Sequence, residues 1–406
     1  MLIAATKDEI RISLLDTNQS KQELVRLRRS NGFICPICRA PVMLKMGTKR
    51  HWHFAHLPHQ GCHIEGEPET PTHLSGKEDL FRWCQDAGRS PKLEHYLCHL
   101  QQRPDIYLPG IEPVAIEYQC SLIPEDLFVK RSYGYLNDGI TPVWVIGANR
   151  FHKRRRTLKL SGFSALSIRQ SRLFLGQHPF ASPYYVCFYD SVSKYFLLAT
   201  QLFPISKTRF ISQENMINRS QIMPFQLTAP AERFSSKTFK EVWLATKRQW
   251  RLSPPTRLSN EEYALRNQVY QHRKQFSCVP GYVGLPLASA IYFLNSPFLW
   301  QMWLVLLMGT IESGCWFTTE RIIRETEKRR MGNLFALRSL PLCPKESMRW
   351  PLCIYLDYLW SLGIAEKTGR SYRLKTGHWP ELSLPTALQE DQRVLDRLEL
   401  LLKHEK

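Results

Sequence analysis

The chain has 406 residues, 43% hydrophobic and 12% aromatic, enough to bury more than one core, which excludes wholesale disorder. Lys and Arg number 55 against 36 Asp and Glu, a formal charge of +19 that points to a polyanionic partner, most simply nucleic acid. Eleven cysteines, odd in number and scattered, do not read as a secreted disulfide framework, and Lys7, Asp8, Glu9 and Arg11 follow so closely on apolar Met1 to Ala5 that no signal peptide is expected. The expected compartment is the cytoplasm.

In chain order, a strand pair (Leu2 to Ala5, Ile10 to Leu15) precedes a basic helix ending at Arg26 to Arg29, then a cysteine-histidine segment at residues 31 to 63. An acidic, proline-containing connector leads to a helix over Thr72 to Ala87. Strands are expected at Lys92 to Leu97, Asp105 to Leu108, Val114 to Cys120 and Pro142 to Gly147, with a helix over Glu125 to Asn137 before the last; this is an α/β order. A basic run, Arg150 to Lys159, is expected to contact phosphates, and Tyr184 to Tyr189 with Tyr195 to Gln201 read as a hairpin. Phe234 to Trp250 and Asn260 to Phe276 read as helices. From Gln275 to Ile311 there is no Asp, Glu, Lys or Arg, but Asn295, Ser296 and Pro297 break the run, so two buried helices are expected there and no stable membrane insertion. Pro297 to Met308, Thr319 to Arg330 and Met348 to Leu362, followed by a hairpin at Ala365 to Lys375, have the pattern of a winged helix.

Cys35 and Cys38 form a Cys-x2-Cys knuckle, and His53 and His56 follow 14 residues after Cys38. Two thiolates and two imidazoles fill the tetrahedron of a structural Zn²⁺, which would hold together a ribbon with too thin a core of its own. His51, His59, Cys62 and His63 are spare ligands, so spacing alone leaves the set open.

Asp105 begins one strand and Glu117-Tyr118-Gln119 lies in the next. Strand alternation puts Glu117 and Gln119 on one face, where Asp105 can meet Glu117 across the ladder. Two such carboxylates are the layout that holds Mg²⁺ for phosphodiester cleavage, with Gln119 orienting water where related enzymes use Lys. Glu69, His73 and Lys77, spaced by four, can complete that shell or contact phosphate. Arg103, Arg131 and Tyr135 are placed to touch DNA near the carboxylates, and Arg154, Arg155 and Arg156 to touch its phosphates.

These segments resemble the CoiA-type competence proteins of Gram-positive bacteria. The resemblance rests on Phe33-Ile34-Cys35-Pro36-Ile37-Cys38, His53-Phe54-Ala55-His56, His73-Leu74-Ser75-Gly76-Lys77, Arg103-Pro104-Asp105-Ile106 and Ala115-Ile116-Glu117-Tyr118-Gln119-Cys120-Ser121. Lys130-Arg131, Gly134-Tyr135, Pro142 to Gly147 and Trp300-Gln301 extend it. It implies an α+β protein: a zinc-ribbon-like unit (1–66), a restriction-endonuclease-like, PD-(D/E)xK core (67–205), a helical connector (206–280) and a helical C-terminal domain (281–406). It also implies a part in recombination of incoming DNA during natural transformation, with a recombinase or other competence proteins as partners. Asp105, Glu117 and Gln119 occupy the nuclease motif. The acid of the first helix would be Glu69 or, failing that, Glu78. The leading expectation is therefore a Mg²⁺-dependent DNA nuclease. The alternative is a non-catalytic DNA-binding or recombinase-loading factor that keeps the fold.

Overall fold

The computed structural model describes residues 1–15, 20–30, 32–47, 52–57, 62, 70–176, 178–231, 234–253, 258–310, 315–330, 335–344, 348–375 and 379–404. The protein mixes helices and sheets and divides into two compact units, the first comprising 1–151, 186–198 and 215–230, the second 152–185, 199–214 and 231–406.

The first unit opens with β1 (Ile3–Ala5), β2 (Arg11–Ser13), α1 (Lys21–Ser30), β3 (Phe33–Ile34), β4 (Pro41–Lys45) and β5 (His53–His56), whose strands form one sheet in the order β2-β1-β3-β4-β5. Met1, Ala4, Ile12, Leu24, Phe33, Val42, Leu44 and Phe54 make its small core.

α2 (Pro71–Asp86) starts where Thr70 accepts a hydrogen bond from the His73 N–H and Pro71 fixes the first helical φ. β6 (Lys92–Leu93), β7 (Ile106–Leu108), β8 (Val114–Gln119), α3 (Glu125–Asn137) and β9 (Thr141–Gly147) follow. β6, β7 and β8 pair antiparallel, and β8 pairs parallel with β9. Every residue of β9 is buried, as its continuous apolar run requires. α2 packs Leu74, Leu80 and Trp83 onto Ile106, Leu108, Ile116, Tyr118, Val143 and Val145. The expected strand Lys92 to Leu97 ends at Leu93, because Glu94 takes a left-handed φ of 44°.

The chain continues through β10 (His152–Arg154), β11 (Thr157–Lys159), α4 (Gly162–Leu166), β12 (Arg169–Gln170), β13 (Tyr184–Asp190), β14 (Tyr195–Pro204) and β15 (Arg209–Asn218). The basic run forms a hairpin: Lys153 lies opposite Leu158, and buried Leu158 pairs with Phe210 of β15. Within the first unit β13 joins β9 in parallel, Phe188 opposite Ile146.

The second unit then builds on α5 (Ser236–Leu252), α6 (Asn260–Gln271), α7 (Pro297–Thr310), β16 (Phe317–Thr318), α8 (Thr319–Arg330), α9 (Arg349–Ser361), β17 (Ala365–Thr368), β18 (Ser371–Leu374) and α10 (Leu384–His404). α5 and α6, read from sequence as a connector, give Phe239, Val242, Trp243, Leu265 and Val269 to its core. Of the two buried helices expected around Pro297 only α7 forms; the segment before it holds the short 3-10 turns Phe276–Cys278 and Ala288–Tyr292. No helix among the described residues is long and apolar enough to cross a membrane. α7 is instead packed away, with Trp300, Met302, Leu304 and Val305 all fully buried. Two charge clusters anchor α10: Asp391 takes both Arg251, bidentate at 2.7 Å and 2.7 Å, and Lys247 at 2.8 Å, and Glu399 takes Lys240, Ser236 and His178.

α2 approaches β8 so closely that a Cβ on Gly76 would stand 2.0 Å from the Tyr118 ring. Gly76→Ala should therefore cost about 1–3 kcal/mol in urea denaturation. Gly162→Ala, whose added methyl meets nothing within 4 Å, should stay within about 0.5 kcal/mol of the parent.

Candidate functional site

Two constellations lie in the first unit. In the N-terminal sheet, the ligand atoms of Cys35, Cys38, His56 and Cys62 all lie within 4.8 Å of one another. The knuckle closes through the Cys35 N–H to the Ala40 carbonyl (2.8 Å) and the Arg39 N–H to the Cys35 carbonyl (3.0 Å), with Arg39 at a φ of 62°. His56 Nε2 stands 3.3 Å from Cys38 Sγ. Burial, helped by the Arg103 charge, holds the His56 imidazole below its usual pKa, which favours the neutral form that a metal needs. His53, expected as a ligand, is not in the group. His53 and His56 belong to one strand and are three residues apart, so alternation sends them to opposite faces, and Cys62 supplies the fourth donor. The spare candidates His51, His59 and His63 lie outside the described residues. Three thiolates with an imidazole suit a metal such as zinc.

The second constellation sits where β7 and β8 meet the two helices. Ile106 pairs with Ile116, and the same register carried one residue further sets Asp105 opposite Glu117. Asp105 Oδ2 accepts the Tyr118 N–H at 2.9 Å and lies 3.3 Å from His73 Nε2; Oδ1 lies 3.1 Å from Lys77 Nζ. Burial works to raise the Asp105 carboxyl, but Lys77 and His73 outweigh it and hold it well below the ordinary range. Lys77 is 1% exposed and also donates to Glu94 Oε1 at 2.8 Å. Glu117, also 1% exposed, receives Arg131 and the Tyr135 hydroxyl (2.5 Å) on Oε1, while no described residue hydrogen-bonds Oε2. Burial pushes the Glu117 carboxyl up against the pull of Arg131, and the charge of Asp105 pushes it further.

The other expected site residues divide. Gln119 lies on the Glu117 side of β8, 7% exposed, and its amide donates to the Ser121 carbonyl at 3.2 Å. Tyr135 is fully buried with its hydroxyl committed to Glu117, and Arg131 is likewise committed, so both brace the carboxylate where surface contacts with DNA were expected. Arg103 contributes its carbonyl to Arg131 at 3.4 Å. Glu69 lies outside the described residues. Glu78 points along the helix to Arg82 (3.0 Å), one residue round from the Lys77 face, and so does not serve as the substitute acid. The acid beside Lys77 is Glu94, which the sequence reading did not single out. Its signal was Lys77, which shares a helix face with Leu74 and Leu80 and so needs a buried counter-charge.

Arg154, Arg155 and Arg156 lie in the second unit on the β10–β11 hairpin. There Arg155, Arg156, Arg209 and Arg248 line one groove against α5. Arg209 reaches Thr157 Oγ1 at 3.0 Å while its Nε is buried without a partner, and Arg156 has a loose, exposed contact with Glu241 at 3.6 Å.

Three family models cover the chain in sequence: the N-terminal domain of competence protein CoiA over residues 16–65, its nuclease-like domain over 69–232, and its C-terminal domain over 239–378. The chain belongs to the CoiA family. It is 29% identical over 361 residues to Competence protein CoiA of Bacillus subtilis (strain 168), an alignment spanning 86% of this chain and 90% of that protein. No solved structure gives a significant match. Both constellations fall within or between the first two family regions, the carboxylates in the nuclease-like one and the cysteines in the N-terminal one.

Two outcomes check this geometry. Elemental analysis should find about one metal ion per chain, retained in His53→Ala and lost in Cys62→Ala. For Glu117, the folded protein binds the proton more readily than the unfolded chain does. The stability it contributes therefore grows as pH falls from neutrality toward the ordinary value of 4.5. Urea midpoints at neutral and mildly acid pH should show the wild type gaining on Glu117→Gln as pH falls.

Proposed function

We propose that this protein processes DNA during competence, promoting recombination of incoming DNA in the cytoplasm, and that its nuclease-like domain is a Mg²⁺-dependent phosphodiesterase. The observation that carries the reading is Glu117: a carboxylate withdrawn from water, held on one oxygen by Arg131 and Tyr135, with the other oxygen unbonded by any described residue and Asp105 opposite in the ladder. A buried, underbonded carboxylate beside a second one is a hard-oxygen donor set that suits a divalent cation. Mg²⁺ held by Asp105 and Glu117 would polarise a phosphate and furnish an activated water. The chain's own part is to keep Asp105 ionised through Lys77 and His73, to fix Glu117 through Arg131 and Tyr135, and to orient water or phosphate with Gln119.

In the same reading the core is a restriction-endonuclease-like fold, supported by the order α2, β6, β7, β8, α3, β9. The cysteine-histidine group holds a structural Zn²⁺. The end of the chain is winged-helix-like, supported by α7, α8, α9 and the β17–β18 hairpin. α9 packs Leu352 and Tyr355 into the core and leaves Trp360 exposed, which suits packing or protein contact, for which a recombinase is the partner we favour, better than groove reading. The arginine groove tracks phosphates. A second reading, a DNA-binding or recombinase-loading factor without catalysis, draws on the fact that Asp105 and Glu117 each already have a cation of the chain, Lys77 and Arg131.

The test incubates purified full-length protein with linear single- and double-stranded DNA and Mg²⁺ or Mn²⁺, with chelator as control. Cleavage should require metal and fall by about a hundredfold or more in Asp105→Asn or Glu117→Gln, with DNA affinity within about twofold. Replacing Arg154, Arg155 and Arg156 by Ala should instead weaken binding on all sequences. It should flatten the salt dependence by about 0.9 per lost phosphate contact on duplex. Metal-loaded wild-type protein that binds DNA and cuts none would leave the second reading standing.

A further inference from the structure

The carboxylate site contains a residue no motif announces, Glu94, and that residue is held by a different part of the fold. Its backbone sits at a φ of 44°, a conformation that a non-glycine residue keeps only when its surroundings impose it. Its carboxylate is 4% exposed and accepts three hydrogen bonds. The Leu2 N–H reaches Oε1 at 3.0 Å, the Ile3 N–H reaches Oε2 at 3.2 Å, and Lys77 Nζ reaches Oε1 at 2.8 Å. Arg11 of β2 adds a bond from its guanidinium to the Leu93 carbonyl at 2.5 Å. Lys77 in turn stands 3.1 Å from Asp105, and Asp105 accepts the Tyr118 N–H of β8.

We propose that the N-terminal sheet is a working part of the carboxylate site: the Leu2 and Ile3 amides position Glu94, Glu94 positions Lys77, and Lys77 sets the place and charge of Asp105. The chemistry leaves little latitude. An ammonium almost wholly removed from water needs carboxylates on more than one side, and a carboxylate so placed needs donors of its own. Leu2 and Ile3, at the start of β1, supply those donors as backbone N–H groups, which any residue but proline would keep. The arrangement also accounts for Gln119. A glutamine cannot bring a positive charge to the Asp105–Glu117 pair, and Lys77 brings one from the helix instead. Lys77 and Glu94 are thus positioning residues acting through Asp105. β1 pairs with β3, Ala5 opposite Ile34, directly before Cys35, so the sheet that presents the two amides is the one that carries the cysteine-histidine group.

The catalytic consequence rests on the nuclease reading; the linkage does not. In full-length protein selectively ¹⁵N-labelled at Leu, Ile and Tyr, Glu94→Gln should speed hydrogen exchange at the Leu2 and Ile3 amides about tenfold or more. It should also shift and deprotect the Tyr118 amide, three side chains away along the bonded series. Should Glu94→Gln fold poorly, the double variant Glu94→Gln, Lys77→Met removes both buried charges and should restore the urea midpoint while leaving all three amides altered. A Tyr118 amide that stays at its wild-type shift and protection while Leu2 and Ile3 are released would overturn the proposal. If the wild type cleaves DNA, Glu94→Gln should lower kcat at least tenfold with KM for DNA within twofold; a raised KM at unchanged kcat would equally overturn it. If the wild type does not cleave, the nuclease reading fails and the Tyr118 amide alone decides the linkage.

Discussion

A lysine ammonium taken almost entirely out of water is tolerable only when flanked by carboxylates, and much of the first unit follows from Lys77 being in that position. The helix that carries it must come close to β8, which Gly76 permits by presenting no side chain to Tyr118. Glu94 must leave the strand conformation to reach it, and Asp105 must stay ionised beside it. Asp105 then holds the Tyr118 amide just before β7 begins, so the same carboxylate that balances the lysine also extends the pairing with β8 by one bond. Glu117, one place across the ladder, is left with an ionisation state that the rest of the cluster does not settle. This is the condition in which a carboxylate gains most from an added cation.

The second unit obeys the same rule with different partners. Arg251 and Lys247 lie on one buried face of α5, and Asp391 answers both. Burial pushes Lys247 down to about 8 although Asp391 pulls the other way. Gln301 is the neutral counterpart. Fully buried on α7, its side-chain amide accepts the Gly284 and Leu285 N–H groups at 2.8 and 2.7 Å and donates to the Leu285 carbonyl at 2.9 Å. That clamp satisfies an irregular stretch of backbone that has no strand or helix to do so. Buried Arg338 is met by the carbonyls of Ile291, Lys207 and Phe293, whereas Arg155, Arg156 and Arg248 line an open groove where water carries their charge until a polyanion replaces the water.

How far the sequence could be read depended on whether a feature was local. The helix Glu125–Asn137 and the strand Thr141–Gly147 were legible because the proline before the helix, the turn after it and the apolar run of the strand all lie within a few residues. The opposition of Asp105 and Glu117 was legible because strand alternation fixes it. Glu94 was not, since its burial comes from β1, about ninety residues earlier in the chain. Choosing Cys62 over His53 needed knowledge that His53 and His56 occupy one strand; had they been on a helix, a spacing of three would have put them on one face. β15 and α10 were missed for related reasons. The run Arg209–Asn218 is too polar to announce a strand, and its place is set by its neighbours; α10 keeps its apolar stripe among charges that are themselves buried in pairs.

The place of Asp391 and Glu399 bears on where this protein can be cut. Similarity to the family's C-terminal domain stops at residue 378, six positions before α10 begins. A boundary drawn there from sequence likeness would look natural, yet α10 also fills the core with Leu395 and Leu398. A fragment ending at that boundary would keep Arg251 and Lys247 and lose the carboxylate that answers them, a kind of loss that ordinarily costs about 3–5 kcal/mol for each stranded buried charge. The end of the family-domain match and the limit of the cooperative folding unit are therefore different places in this chain, and the second lies nearer its C-terminus.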